Sequence, residues 1–141
     1  MRKNESGRSM VEMLGVLAII GVLSIGGIAG YTLSMNRYRA NAVVDVANKL
    51  AGVAYGSCMG EIAQDNTKTT STCTAVSSGS NTAEYYGLGT PEGLTLTVTA
   101  IDATNGVTVK SSEITDTKLK DAIKSIIGDI SGTNGVTIKQ N

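Results

Sequence analysis

Apolar residues are spread very unevenly along this chain. From Met13 to Asn36, 24 positions rich in Leu, Ile, Val, Ala and Gly pass without a charge. A helix needs about 20 apolar residues to cross a bilayer, so this run is long enough to do so. After Arg37 the pattern changes. Val43, Val46, Leu50 and Val53 recur at steps of three and four, with Asp45 and Lys49 between them, as in an amphipathic helix with one face on a core. No turn signal separates the two patterns. They predict one helix of about 45 residues, half apolar anchor and half core-packing stem, ending near Gly56.

Residues 74–93 are rich in Ser, Gly, Thr and Asn and end in "YYGLGTPEG", which reads as loop. Tyr85 and Tyr86 are expected to pack over the core, the alternative being exposure for contact. In "LTLTVTAID", Leu94, Leu96 and Val98 alternate with three threonines, the pattern of a half-buried strand. Asn105-Gly106 is a hairpin signal, and "VTVKS" is its returning strand. "TDTKLKDAIKSIIG" reads as a helix capped by Thr115 or Asp116 and stopped by Gly128. Leu119, Ile123, Ile126 and Ile127 form its buried face, and Lys118, Lys120 and Lys124 its solvated one. A turn at Asn134-Gly135 leads to a last strand, "VTIK". The order predicts an α+β fold: a long N-terminal helix packed on a small antiparallel sheet of three or more strands, with a short extra helix.

Composition narrows the chemistry. The 141 residues carry 12 acidic and 12 basic side chains, no His, Trp or Phe, and five Tyr. Balanced charge and few aromatics give no footprint for nucleic acid. The commonest general base and metal ligand is missing. The chain is therefore expected to be neither an enzyme nor a cofactor carrier.

One acid sits where the apolar run opens. Glu12 lies within "ESGRSMVEML", and a carboxylate deep in a bilayer costs about 2.5–3.5 kcal/mol on insertion scales. A plain signal peptide or signal anchor is one reading, with Arg2, Lys3 and Arg8 as its positive end and "IAG" at 28–30 as a cleavage site. The run is longer than the usual ~7–15-residue apolar core of such a peptide, and Glu12 interrupts its start.

The spacing carries a second reading. A short polar leader, "MRKNESG", ends in Gly7, Glu12 follows five residues later, and the apolar helix begins directly after it. The stretch "GRSMVEMLGVLAIIGVLSIGGIAGY" resembles the class III signal of type IV pilins and of type II secretion pseudopilins. Tyr31 also falls where many pilins carry a Tyr. The resemblance implies a 1–7 leader, an 8–36 hydrophobic transmembrane and assembly helix, and a 37–141 globular domain with a pilin fold. It implies a prepilin peptidase cut between Gly7 and Arg8, methylation of the new N-terminus, and Glu12 as fifth residue of the mature chain. The chain departs from the pattern twice. Arg8 replaces the usual Phe, Met or Leu, and Gly26, Gly27 and Gly30 stand where many members have a Pro.

In the family, the free amine of an incoming subunit neutralises this acid on a neighbour, so Glu12 would act as a register mark. An acid in low dielectric gains most from a partner at the correct height. Arg8, four residues before Glu12, could pair with it in the same helix or snorkel to the headgroups; both remain open. Gly26 and Gly30 form a small-xxx-small pair suited to close helix association, although glycines are also simply frequent in membrane helices. The partners implied are further copies of the chain, the peptidase, the inner-membrane assembly machinery and lipid. The implied location is the inner membrane, then an extracytoplasmic filament.

Cys58 and Cys73 are the only cysteines. An even count in a domain outside the cytoplasm favours a disulfide, worth about 3 kcal/mol for a loop of this length. Many pilins instead close a C-terminal loop. The short leader is more typical of the type IVa group, whereas a short helix between the second and third strands resembles type IVb. Asp129, Ser131 and Asn134 in "GDISGTNG" could offer oxygens to Ca²⁺ as in major pseudopilins, but an ordinary turn is the expectation. Two alternatives stand beside a pilus subunit: a secretion pseudopilin, and a membrane-anchored binding or enzymatic domain.

Overall fold

A computed structural model describes residues 5–102, 104, 106–127 and 137–140, with side chains for those from 9 to 127. Helix α1 runs Glu5–Gln64, and the chain divides into two units, Met1–Met35 and Asn36–Asn141. The helix outlasts the expected end near Gly56 by two turns. Gly52, Gly56 and Gly60 lie inside it, and a side chain at any of them would meet nothing within 4 Å. A helical glycine costs only about 1 kcal/mol, which buried neighbours offset.

In the first unit every described side chain from Ser9 to Met35 is exposed. The apolar stretch is long enough to cross a membrane, and none of it is covered by the chain itself. Two of its hydroxyls bond within the helix: Ser24 Oγ donates to the Ile20 carbonyl at 2.7 Å and Thr32 Oγ1 to that of Ala29 at 2.9 Å. Those two hydroxyls, like the helical backbone, find their partners within one helix, as a non-hydrogen-bonding surrounding would require.

The second unit is α+β. Its part of α1 buries Ala40, Val43, Ala47, Leu50, Ala51, Ala54 and Cys58, a stripe at three- and four-residue steps. Alanines supply most of it. Val46 is only half-buried, and Val53, expected on the core face, is exposed. Larger side chains fully buried with the alanines come from α1, the first two strands and the short second helix: Leu50, Leu96, Val98, Val109 and Ile123.

Three strands, β1 (Leu96–Asp102), β2 (Gly106–Ser111) and β3 (Thr137–Gln140), form an antiparallel sheet in the order β1-β2-β3. The alternation expected from Leu94 through Val98 is present, and all three large residues are buried. After Val98 the register shifts, so that Ala100 is exposed and Ile101 buried. This bulge inserts one residue and moves the apolar set by one position. Thr99 Oγ1 donates to the Thr108 carbonyl beside it, at 3.3 Å. Asp102 opposes Gly106 across the hairpin, and Gly106 takes φ +78°, which favours glycine. Asn105 lies outside the described residues.

At residues 96–98 the other edge of β1 is covered by the loop. Ala83 N donates to the Leu96 carbonyl at 2.9 Å, Val98 N to that of Asn81 at 2.7 Å, and Asn81 Nδ2 to that of Val98 at 3.0 Å. An edge so covered offers no template for a foreign strand. Helix α2 (Thr117–Ile127) follows. Asp116, not Thr115, caps it: Asp116 Oδ1 accepts from Lys118 N at 3.0 Å and Leu119 N at 3.3 Å. Leu119 and Ile123 are buried and Ile127 partly so, but Ile126 is exposed, one position beyond the face that meets the core. Lys118 and Lys124 are exposed and Lys120 half-buried. Gly128, Asp129, Ser131, Asn134 and Gly135 lie outside the described residues.

Candidate assembly surface and disulfide loop

The residues singled out at the N-terminus all fall on α1. Gly7 and Arg8 are within its first turns, Arg8's side chain lying outside those described, and Glu12 is exposed. At about 100° per residue, Gly30 stands 18 positions, or about five full turns, from Glu12 and shares its line along the helix. Gly15 and Gly26 fall within about 60° of that line, whereas Gly21 is on the opposite side. A Cβ at Gly15, Gly26, Gly27 or Gly30 would meet nothing within 4 Å. Among the described residues no contact asks for glycine there. Ser9, Met10, Met13, Leu14 and Leu17 line an open apolar hollow on the same helix.

Cys58 and Cys73 are joined in a disulfide, with Cα atoms 5.2 Å apart. Cys58 is not beyond the stem, as the expected end near Gly56 would have it, but on the helix, six residues before its last. The staple therefore ties the last turns of α1 to the returning chain. Both sulfurs are buried in the main core with Ala75 and Ala83.

Two side-chain clusters in this unit escaped the sequence reading. The first surrounds Glu61, one turn after Cys58. Glu61 Oε2 accepts from Lys68 Nζ at 2.8 Å and from the Thr74 backbone N–H at 3.1 Å. The Lys68 hydrogen bond first, then Thr74, hold the Glu61 carboxyl down to about 2. Lys68 is raised in turn, chiefly by Glu61. Asp65 Oδ1 accepts from Thr67 Oγ1 at 2.7 Å and Thr67 N at 3.0 Å, starting the return; these bonds lower its pKa. The available signal was an acid three residues past a helical cysteine, followed by a lysine inside the loop.

The second cluster centres on Arg39. Its Nε donates to Glu92 Oε2 at 2.6 Å and its Nη1 to Asp116 Oδ2 at 3.3 Å. One guanidinium thus joins the start of the stem to the Pro91–Gly93 turn and to the cap of α2. Glu92 occupies the left-handed region, with φ +53°, a conformation that costs a non-glycine residue and persists where contacts fix it. Glu92 and Asp116 raise the Arg39 pKa, the Glu92 hydrogen bond most. Asp116 is lowered, first by the Leu119 N–H. Separation by 53 and 77 residues left this cluster without a local sequence signal.

Tyr86 is half-buried against the core, and Tyr85 meets it edge-on, ring centroids 5.2 Å apart, while remaining exposed. The pair thus divides between the two fates considered for it. Burial, above all, raises the Tyr86 pKa. Among the described residues no group of three or more His, Cys, Asp or Glu side chains converges to hold a metal. No protein-family model, curated protein or solved structure matches the chain.

Proposed function

We propose that this chain is a structural subunit of a type IV pilus-like filament, stored in the inner membrane and assembled from it after prepilin peptidase cuts between Gly7 and Arg8. The observation that carries the reading is the exposed apolar half of α1, with Glu12, Gly15, Gly26 and Gly30 near one line along it. Lipid covers that surface before assembly, and the same half of other copies covers it afterwards. Small residues along the line let helices approach closely. The α-amino group released by the cut offers Glu12 of a neighbouring copy a cationic partner in low dielectric, which rewards one axial register. The protein works by assembly; the catalysis belongs to the peptidase that processes it.

Intact mass and N-terminal sequence of the membrane-extracted protein test the first step. A chain beginning at Arg8 supports the reading, and one beginning at Met1 in cells with an active peptidase overturns it. Glu12→Ala tests the second step. Filament yield is expected to fall by about tenfold or more, while the melting temperature of the 36–141 unit stays unchanged. Normal filament yield from this variant removes the role assigned to Glu12.

A further inference from the structure

We propose that Glu61 is a positioning residue for the disulfide, a noncovalent clasp that closes the 58–73 loop in the reduced chain and so sets how readily Cys58 and Cys73 oxidise. The clasp and the disulfide join the same two pieces of chain. On the helix side, Cys58 and Glu61 are three residues apart and on neighbouring turns. On the return side, Cys73 immediately precedes Thr74, whose N–H donates to Glu61 Oε2 at 3.1 Å. Lys68, midway around the loop, donates to the same oxygen at 2.8 Å. Neither bond uses a sulfur, so both are available to the dithiol.

The intervening chain has order of its own. Asp65 holds Thr67, Lys68 N donates to the Asp65 carbonyl at 3.0 Å, and Thr69 N donates to Thr72 Oγ1 at 2.8 Å. Cys73 Sγ lies 3.3 Å from the Thr69 carbonyl, an acceptor that the reduced thiol can use. Cys73 is thus held from both sides, by Thr69 before it and Glu61 after it. The charges on Glu61 and Lys68 make their bond stronger than a neutral one.

The redox step is ordinary exchange. One thiolate attacks a small-molecule disulfide such as oxidised glutathione and releases one thiol. The second thiolate then displaces the other, leaving Cys58–Cys73 oxidised and the small disulfide reduced to two thiols. A preclosed loop raises the effective concentration of one cysteine at the other. Linkage makes the effect reciprocal: whatever factor the clasp contributes to the disulfide, the disulfide contributes to the clasp. This inference stands apart from the filament reading and holds for the chain whatever it assembles into.

The test equilibrates the full chain in detergent with glutathione redox buffers, traps free thiols by alkylation and counts them by mass. Glu61→Ala is expected to lower the effective concentration of the cysteine pair by about tenfold. Lys68→Met, which leaves Glu61 and its Thr74 bond in place, should lower it by a smaller factor. Circular dichroism of the oxidised variants verifies that each is folded. Asp45→Asn, which breaks an exposed pair elsewhere on α1, should leave the equilibrium unchanged. Values within about twofold of the parent chain for both Glu61→Ala and Lys68→Met overturn the proposal. So does an equal fall in Asp45→Asn, since the loss would then be general loosening of the helix.

Discussion

The two parts of α1 carry the same kinds of aliphatic side chain and treat them in opposite ways. Leu17 and Val22, in the first unit, are 62% and 72% exposed, whereas Leu50 and Val43, in the second, are both at 0%. Helix propensity cannot tell these positions apart, since the residue types are identical. What differs is the remainder of each unit. The second supplies a sheet, a short helix and a stapled loop to cover one face, and its opposite face carries charges such as the Asp45–Lys49 pair. The first supplies no cover and no charge between Met13 and Asn36. Its described side chains stay exposed, and the stability of the second unit should be indifferent to their truncation.

Matched truncations are the strongest way to break that contrast. Leu50→Ala removes a fully buried side chain and should cost about 2–5 kcal/mol. For a domain of about a hundred residues this lowers the melting temperature by about 8 °C or more. Leu17→Ala should leave the same transition in place. Thermal unfolding in detergent, followed by circular dichroism, measures both. Equal losses would mean that the first part of the helix is built into the domain's core.

The apolar pattern anticipated this contrast because its two halves differ in charge and period, which are local properties. It anticipated less of what fixes the second unit. Val43 and Leu50 are buried as the spacing predicts, but Ala40, Ala47 and Ala54 complete the stripe, and an alanine has too little hydrophobicity to mark a face, so Val46 and Val53 stand in its place in that spacing. The β1 alternation was legible up to Val98. The bulge beyond it was not, because Thr99-Ala100-Ile101 fits either face until β2 fixes the register. Leu119 and Ile123 were legible from helical spacing, and Ile126 shows where an 11-residue helix offers more apolar residues than its contact can cover. The Arg39 cluster needed the fold itself. At the candidate assembly surface Glu12 stands out because an acid is unusual in an apolar run, and Gly26 and Gly30 only by their spacing.

A smaller effect separates the two units by pH. Glu61, Asp65 and Asp116 are all lowered by bonds that exist only in the folded second unit. A carboxylate with a depressed folded pKa contributes stability above its unfolded value, and loses it as pH falls through the folded one. For Glu61 the window runs from 4.5 down to about 2. Urea titrations of the oxidised protein across that window should show stability falling with acid. Glu61→Gln should make the fall shallower, chiefly in its lower part. An unchanged slope would mean that the Lys68 and Thr74 bonds are absent in solution.

The smallest expected effect tests the boundary between the two behaviours within a single turn of helix. Val53 is 45% exposed while Ala54, its neighbour, is fully buried. A valine on the core face would cost about 1.5–3 kcal/mol to uncover, so the apolar spacing and the fold give different forecasts for Val53→Ala. The fold forecasts a change within about 0.5 kcal/mol in dispersed protein, as for other surface positions. A loss near 2 kcal/mol or more would rotate the helix onto the face drawn by Val43, Val46, Leu50 and Val53, and the alanine stripe would be wrong. The same variant read in assembled material asks a further question. If stability there drops while the dispersed protein is indifferent, Val53 belongs to the covered class after all, with the cover supplied by another copy. The division between the two parts of α1 would then mark which contacts form before assembly and which form during it.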